Sequence, residues 1–511
     1  MRFLLQNGWG LPGPGARPVV ILRRDSWDDF GFKTLFEAEL YLYGQEAIEL
    51  GQVKIMRSDS VEGTTQLPGS HFSRLGPDYC SLGQGAEYYE KLAELPRRTR
   101  EEFLLAMRDA AFDRDIRHEF MGKEAWVASL TRFGPAQHAL EVGKNLVEGV
   151  RRTVGVASFA YVREGASPLT VDFKFDDRAE LPGRSNVIIG YNGVGKTHLL
   201  ANLARAASEG GVVDGENGAL IGQDTTFGAV IAVSYSAFDD FVLPQDKTRD
   251  QDEDVFEKDR GRTELFGYVY CGLRRVDVSP SGSDLTERRE LKSLDEIEQE
   301  MLNALDRAQN KVVGDRRILV ECLGLLEQEP SFGRIGVQPS TWLEVGAKPG
   351  EEIRLLSTGH KIVLNIVAQL AAHLKPRSIV LLDEPETHLH PPLLAAMLRV
   401  LQRLLDFHDS FMIIATHSPV VLQEVPAGSV RVLTRFGDSA DVELPEIETF
   451  GANVGTITRH VFSLDNSATD YQGVLADLAA RLTLDEIEEL FADGMSDQAR
   501  ALVLRAKRST S

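Results

Sequence analysis

Hydrophobic positions along this chain change their period more than once, and each change predicts a different layer. Phe36, Ala38, Leu40 and Leu42 alternate with Glu37, Glu39, Tyr41 and Tyr43, the period of a half-buried strand. Val19 to Leu22 predicts a short apolar strand, and Val53 and Ile55 read as a hairpin partner of the alternating run. Further on, Phe103, Leu104, Met107, Ala110 and Ala111 fall on one helical face. Residues 1–150 therefore read as an α+β accessory domain. The run Asp25-Ser-Trp-Asp-Asp-Phe30 brings carboxylates together, and a strand-edge turn is preferred there over a metal site.

From about 151 to 450 the pattern becomes that of an α/β layer. Val187 to Ile189, Ile379 to Leu382 and Phe411 to Ala415 are continuous apolar runs, as expected of parallel strands covered on both faces. Asp239 to Glu264 is acidic and polar and predicts an exposed loop. Ser293 and Glu296 form a capping box ahead of Leu294, Ile297, Met301, Leu302 and Leu305 on one helical face. This predicts a helical insertion over about 240–345. Residues 451–511 read as a C-terminal helical subdomain, with a second capping box at Thr483 and Glu486, a stop at Gly494 and a last helix from Ser496.

Chemistry enters at Gly190-Tyr-Asn192-Gly193-Val194-Gly195-Lys196-Thr197, which matches Gly-x-x-x-x-Gly-Lys-Ser/Thr. It follows the strand Val187–Ile189 and opens a helix, His198 to Ala207. Glycines let backbone N–H groups crowd around phosphates, and the helix start adds its positive dipole end. Lys196 is placed for the β/γ-phosphates, Thr197 for Mg2+ and His198 at the first helical turn. Asp383 and Glu384 end a buried strand 187 positions after Lys196 (383 − 196). There Asp383 would hold Mg2+ and Glu384 would act as general base on water. Ser357-Thr-Gly359-His360 opens an apolar-periodic helix 26 residues before Asp383 (383 − 357), offering a hydroxyl and free N–H groups to an anion. His417 follows a further strand, 33 residues after Glu384 (417 − 384), where it could sense a γ-phosphate.

Charge and composition narrow the class. Asp plus Glu number 77 against 56 Lys plus Arg, a net charge of −21, so the average surface repels nucleic acid and anionic membranes. Arg97-Arg98-Thr99-Arg100 and Arg151-Arg152 read as solvated helix faces. Three scattered cysteines, Cys80, Cys271 and Cys322, carry neither metal spacing nor a disulfide framework. No apolar run approaches a membrane span, and a cytoplasmic location is expected.

Together the motifs resemble the ATP-binding-cassette (ABC) superfamily over roughly residues 155–435. Gly190 to Thr197 is similar to its Walker A loop, Leu356 to Lys361 to its signature, Ile379 to Glu384 to Walker B, His388 to His390 to the D-loop and His417 to the switch histidine. Asp383-Glu-Pro-Glu-Thr-His-Leu-His-Pro391 and Ala415-Thr-His-Ser-Pro419 resemble soluble ATPases of the overcoming-lysogenization-defect and RecF-like type, including the ATPase subunit of the Septu anti-phage system. The resemblance implies an α/β P-loop ATPase core using ATP and Mg2+. It also implies two chains sandwiching two ATP molecules head to tail, Lys196 and Thr197 of one facing Ser357 and Gly359 of the other. A homodimer or higher oligomer, control of a separate effector such as a nuclease, and no membrane partner follow.

The chain departs from that pattern in three places. The strand Val230-Ile-Ala-Val-Ser-Tyr-Ser-Ala-Phe-Asp239 lacks the usual Gln. Thr358 and His360 stand where transporters have Gly and Gln. The space between Lys196 and Asp383 is too short for a long coiled-coil arm at about 1.5 Å per residue. After His417 there is neither a topoisomerase-primase-like acidic cluster nor a His-Asn-His nuclease pattern. Three other readings compete with a defence switch: a RecF-like DNA-repair clamp, for which DNA binding is possible, a transporter energy subunit, and a non-hydrolysing scaffold. The missing Gln and large N-terminal domain argue against the transporter, and Glu384 against the scaffold.

Overall fold

The computed structural model describes residues 1–6, 18–42, 47–149, 156–164, 168–176, 180–209, 218–222, 225–243, 264–277, 288–310, 313–344, 347, 349–436, 439–461 and 470–509. Its centre is an eight-stranded sheet. Tyr268–Gly272, Val230–Ser234, Ile379–Asp383, Phe411–Thr416, Ser185–Ile189 and Val430–Phe436 lie side by side and parallel. Glu264–Leu265 and Ser439–Glu443 close the two edges antiparallel. Every residue from Ile379 to Asp383 is buried, which is why this strand shows no alternation. Each such aliphatic side chain contributes about 1.5–3 kcal/mol by leaving water.

The two faces of this sheet are covered differently. Helices Leu294–Gln309, Val313–Leu326, Thr358–His373 and Pro391–Phe407 pack on one face, burying Met301, Leu323, Val367 and Leu401. The helix Lys196–Ser208 covers the other, beside a three-stranded antiparallel sheet of Leu169–Asp176, Val156–Arg163 and Ala219–Gly222. The strand Leu169–Asp176 alternates strictly, with Val171, Phe173 and Phe175 turned into this core. The fold is thus α/β, a mainly parallel sheet covered on both faces.

Residues near the N-terminus build a six-stranded sheet with its own core, and helices Ala86–Ala93, Arg97–Met107 and Gly134–Glu148 lie on it. Leu35–Tyr41 pairs antiparallel with both Val19–Arg24 and Ile48–Arg57. Its side chains at Phe36, Ala38 and Leu40 are buried, as the alternation predicts. Ala110 and Ala111 do not continue the helical face, because the helix stops at Met107 with Arg108 in the left-handed region at φ 52°. Asp25 to Gly31 do form the expected strand-edge turn, in which Asp25 accepts from the Trp27 N–H and Asp28 from the Gly31 N–H, and the third acid there is Asp29. It is buried with Lys54 at 2.7 Å and Arg132 at 2.9 Å, and it accepts from Trp27 Nε1 and Ser129 Oγ. Lys375 ties this layer to the core, reaching Glu87 at 2.9 Å and Glu264 at 3.6 Å.

Two expectations for the middle of the chain change. The stretch taken as helical from about 240 contributes strands to the central sheet at Glu264–Leu265 and Tyr268–Gly272, and a hairpin of Arg274–Asp277 with Arg288–Leu291. Helix starts only at Leu294, where the Ser293–Glu296 capping box is formed. Tyr268, Val269 and Tyr270 alternate too briefly to be separated from a helical pattern by period alone. Asp239, read as the start of an exposed loop, is buried. Most of that loop, 244–263, lies outside the described residues, as do Arg151 and Arg152.

At the C-terminal end, Val454–Val461 packs on the central core, whereas Leu475, Ala479, Ile487 and Val503 form a small separate one. All three cysteines are buried thiols. Among the described residues no helix is long and apolar enough to cross a membrane, and no group of three or more His, Cys, Asp or Glu is placed to hold a metal.

Candidate nucleotide site

The glycine loop joins strand Ser185–Ile189 to helix Lys196–Ser208 at the carboxyl edge of the sheet. Two of its glycines are there for physical reasons. Gly195 caps the helix at φ 99°, a conformation L side chains rarely adopt. A Cβ on Gly190 would run into the Leu433 carbonyl of the neighbouring strand. Gly195 has no side chain to cap the helix. The N–H groups of Lys196, Thr197 and His198 are therefore orphan donors of a helix start, an anion cradle.

Lys196 is buried. Its Nζ donates to the loop's own carbonyls, Gly190 O at 3.0 Å and Tyr191 O at 3.2 Å, and stands 4.0 Å from Glu384. Burial pushes its pKa down, while Glu384, Asp383 and Glu386 oppose that. Thr197 Oγ1 donates to both Asp383 oxygens, at 3.1 and 3.0 Å. Asp383 is buried, and burial raises its carboxyl to about 7, against the Thr197 hydrogen bond and with help from Glu384 and Asp239. An acid held this way against a threonine hydroxyl offers oxygen donors to a divalent cation, which takes its remaining ligands from water and phosphate. The residues therefore fit Mg2+ and a triphosphate.

Glu384 sits at φ 43° in the left-handed region, its N–H bonded to Ala415 O at 2.8 Å. This strained turn aims the side chain away from the strand axis, 3.6 Å from His417 Nδ1. His417 is half exposed and is held by a residue not assigned a role from sequence. Glu386 accepts from Thr416 Oγ1 at 2.6 Å and from the His417 N–H at 2.8 Å, and lies 3.2 Å from His417 Nδ1. Its other oxygen is buried and unpartnered. Only its position, two residues past Glu384 in the acidic run, signalled it.

Lys196, Thr197, Asp383, Glu384 and His417 therefore converge on one corner. Asn192 and Gly193 are exposed on the loop, and Val194 is half-buried against the core. The His198 side chain turns aside, 3.1 Å from Asn202 and 3.8 Å from Asp240, so its helix-start N–H is the part that faces an anion. Ser357 and Gly359 do not join the cluster. Ser357 caps helix Thr358–His373, and among the described residues its hydroxyl bonds to His360. Gly359 lies against the His388 carbonyl, where a Cβ would stand 3.0 Å away. In place of a glutamine after strand Val230–Ser234, buried Asp239 holds Arg274 through Nε at 3.0 Å and accepts from Tyr270 OH at 2.8 Å. Neither partner could be found from sequence, because both lie in the stretch read as helical.

Residues 229–423 match the family described as "AAA domain, putative AbiEii toxin, Type IV TA system". Protein ea59 of Escherichia phage lambda is 29% identical over 520 aligned positions, spanning 93% of this chain and 91% of that one. Two solved structures are also similar. The SMC head domain from Thermotoga maritima has 13% identity and a TM-score of 0.26, covering 57% of this chain and 99% of its own. The cbiO1 subunit from Clostridium perfringens has 15% identity and a TM-score of 0.27, covering 65% and 97%.

Proposed function

We propose that this chain is a cytoplasmic, ATP-hydrolysing switch subunit of a bacterial anti-phage complex, akin to the ATPase subunit of Septu, that controls a separate effector such as a nuclease. The observation that carries the hydrolytic part is the convergence of Lys196, Thr197, Asp383, Glu384 and His417 at one sheet edge. Lys196 exchanges the loop carbonyls for phosphate oxygens. Thr197 and Asp383, bonded to each other here, would hold Mg2+. Bound Mg2+ supplies charge neutralisation on the phosphates. Glu384, ordered by its turn, takes the proton of the attacking water. His417, steadied by Glu386, contacts the γ-phosphate.

Ser357 and Gly359 stand outside this cluster, which supports a second chain completing the site: they would meet the nucleotide held by the partner's glycine loop. ATP then joins two heads, and hydrolysis parts them. The match to a family described by a toxin of a type IV toxin–antitoxin system supports the conflict setting, as does a long relative carried by a phage. Turnover of Mg-ATP by the purified chain, alone and as Glu384→Gln, tests the proposal. We expect the variant to bind ATP with wild-type affinity and to lose at least about 100-fold in kcat, the range of a general base. Unaltered turnover in the variant would remove Glu384 from its role.

A further inference from the structure

His360 is buried at the first turn of helix Thr358–His373, and its ring bridges two serines. Nδ1 is 2.6 Å from Ser357 Oγ, and Nε2 is 2.7 Å from Ser331 Oγ. Ser331 in turn donates its hydroxyl, and its N–H at 2.8 Å, to the same oxygen of Glu329, whose side chain caps the short helix Pro330–Ile335. The Phe332 ring meets the imidazole edge-on at 4.6 Å. One line of hydrogen bonds thus runs from Ser357 to a carboxylate.

The direction of that line follows from donor and acceptor rules. An ionised carboxylate only accepts, so Ser331 spends its proton on Glu329. The Ser331 oxygen then accepts from His360 Nε2–H, which leaves Nδ1 as a lone pair. The Ser357 hydroxyl must donate to it. In the single chain, therefore, the Ser357 proton points at the ring while its oxygen accepts the His360 backbone N–H, so the hydroxyl has no proton to offer an anion. Adding one proton at Nδ1 reverses this single bond and no other. Nδ1–H then donates to the Ser357 oxygen, and the hydroxyl proton is free to point out. The imidazolium so formed lies between Glu329 and the incoming anion.

Resting on the head-to-tail reading above, we propose that Glu329, Ser331 and His360 form a positioning relay for Ser357, which turns its hydroxyl outward by taking up one proton from solvent when a partner-bound nucleotide phosphate docks. In the undocked chain burial is the largest influence on His360 and lowers its pKa; Glu329 opposes this and His390 adds to it. Docked phosphate raises it. The docked pKa exceeds the free one, so closure is fully favoured at low pH and weakens as pH rises through the docked pKa. Between the two values the closure constant falls about tenfold per pH unit, one proton per Ser357 docked.

The test uses the full chain as Glu384→Gln with saturating Mg-ATP, its dimerisation constant measured by sedimentation equilibrium at pH 6, 7 and 8. We expect a fall of about tenfold per unit for each relay across part of this range. Adding His360→Gln, whose amide N–H donates at every pH, should flatten the profile; titration of ATP itself would persist in this variant. Adding Glu329→Gln should move the falling segment to lower pH. An identical slope with His360→Gln, in dimers still broken by Ser357→Arg, overturns the relay and leaves the sandwich standing. No ATP-dependent dimer at any pH overturns both.

Discussion

Replacing Lys196 with alanine separates the binding of phosphate from the folding of the loop. Lys196 donates to two loop carbonyls, Gly190 O and Tyr191 O, at 3.0 and 3.2 Å. Losing them costs about 1 kcal/mol each. Against this, the variant no longer buries a cation whose pKa burial already lowers. The two terms oppose, and the empty chain should change in stability by about 1 kcal/mol or less. With nucleotide the terms no longer cancel. A unit charge about 4 Å from a phosphate oxygen at a surface-like dielectric contributes about 4 kcal/mol before desolvation. A net loss of about 2.7 kcal/mol raises Kd about 100-fold. At ATP equal to 100 times the wild-type Kd, ligand linkage stabilises the wild type by about 2.7 kcal/mol and the variant by about 0.4 kcal/mol. Titration calorimetry gives the affinities, and scanning calorimetry with and without Mg-ATP gives the linkage. Wild-type affinity in Lys196→Ala would refute the assignment. So would a collapse of the nucleotide-free fold, since the carbonyl bonds would then carry far more than about 1 kcal/mol each.

The remaining expectations concern the buried polar clusters. Asp29→Asn should cost about 3–5 kcal/mol, more than Lys54→Met, because it leaves the Lys54 ammonium buried without its carboxylate, whereas in Lys54→Met the Asp29 carboxylate keeps Arg132, Trp27 and Ser129. Burial lowers the Lys54 pKa, so stability in Asp29→Asn should rise as pH rises towards the unfolded lysine value; equal urea midpoints for the two variants, or a flat pH profile, would contradict this. Asp239→Ala should cost a similar amount by stranding buried Arg274, and should slow ATP turnover by loosening the turn after strand Val230–Ser234. Melting and kcat measured together check it, and a variant with wild-type values of both would remove Asp239 from the site.

Legibility in the sequence followed physical scale. Elements fixed by local rules could be read: the alternation of Phe36, Ala38 and Leu40, the buried runs ending at Asp383 and Thr416, the Ser293 and Thr483 capping boxes, and a glycine loop that only one backbone geometry accommodates. The juxtaposition of Thr197 with Asp383 also followed, because parallel strands bring their carboxyl ends to one edge. Features decided by tertiary context could not be read. Asp29 and Asp239 look like ordinary surface acids until their buried cations, Lys54 and Arg274, are placed beside them. Tyr268 to Gly272 is too short for its period to distinguish strand from helix, and its identity as a strand comes from pairing with Val230–Ser234. Glu386 stood inside a recognised motif, yet its grip on His417 depends on a strand end 30 residues away.

The central claim is that ATP joins two heads through Ser357. Sedimentation velocity on Glu384→Gln, with and without Mg-ATP and with and without Ser357→Arg, tests it most directly. The assembly should gain heads only with ATP and only when Ser357 is intact. An oligomer indifferent to both ATP and Ser357→Arg would contradict it.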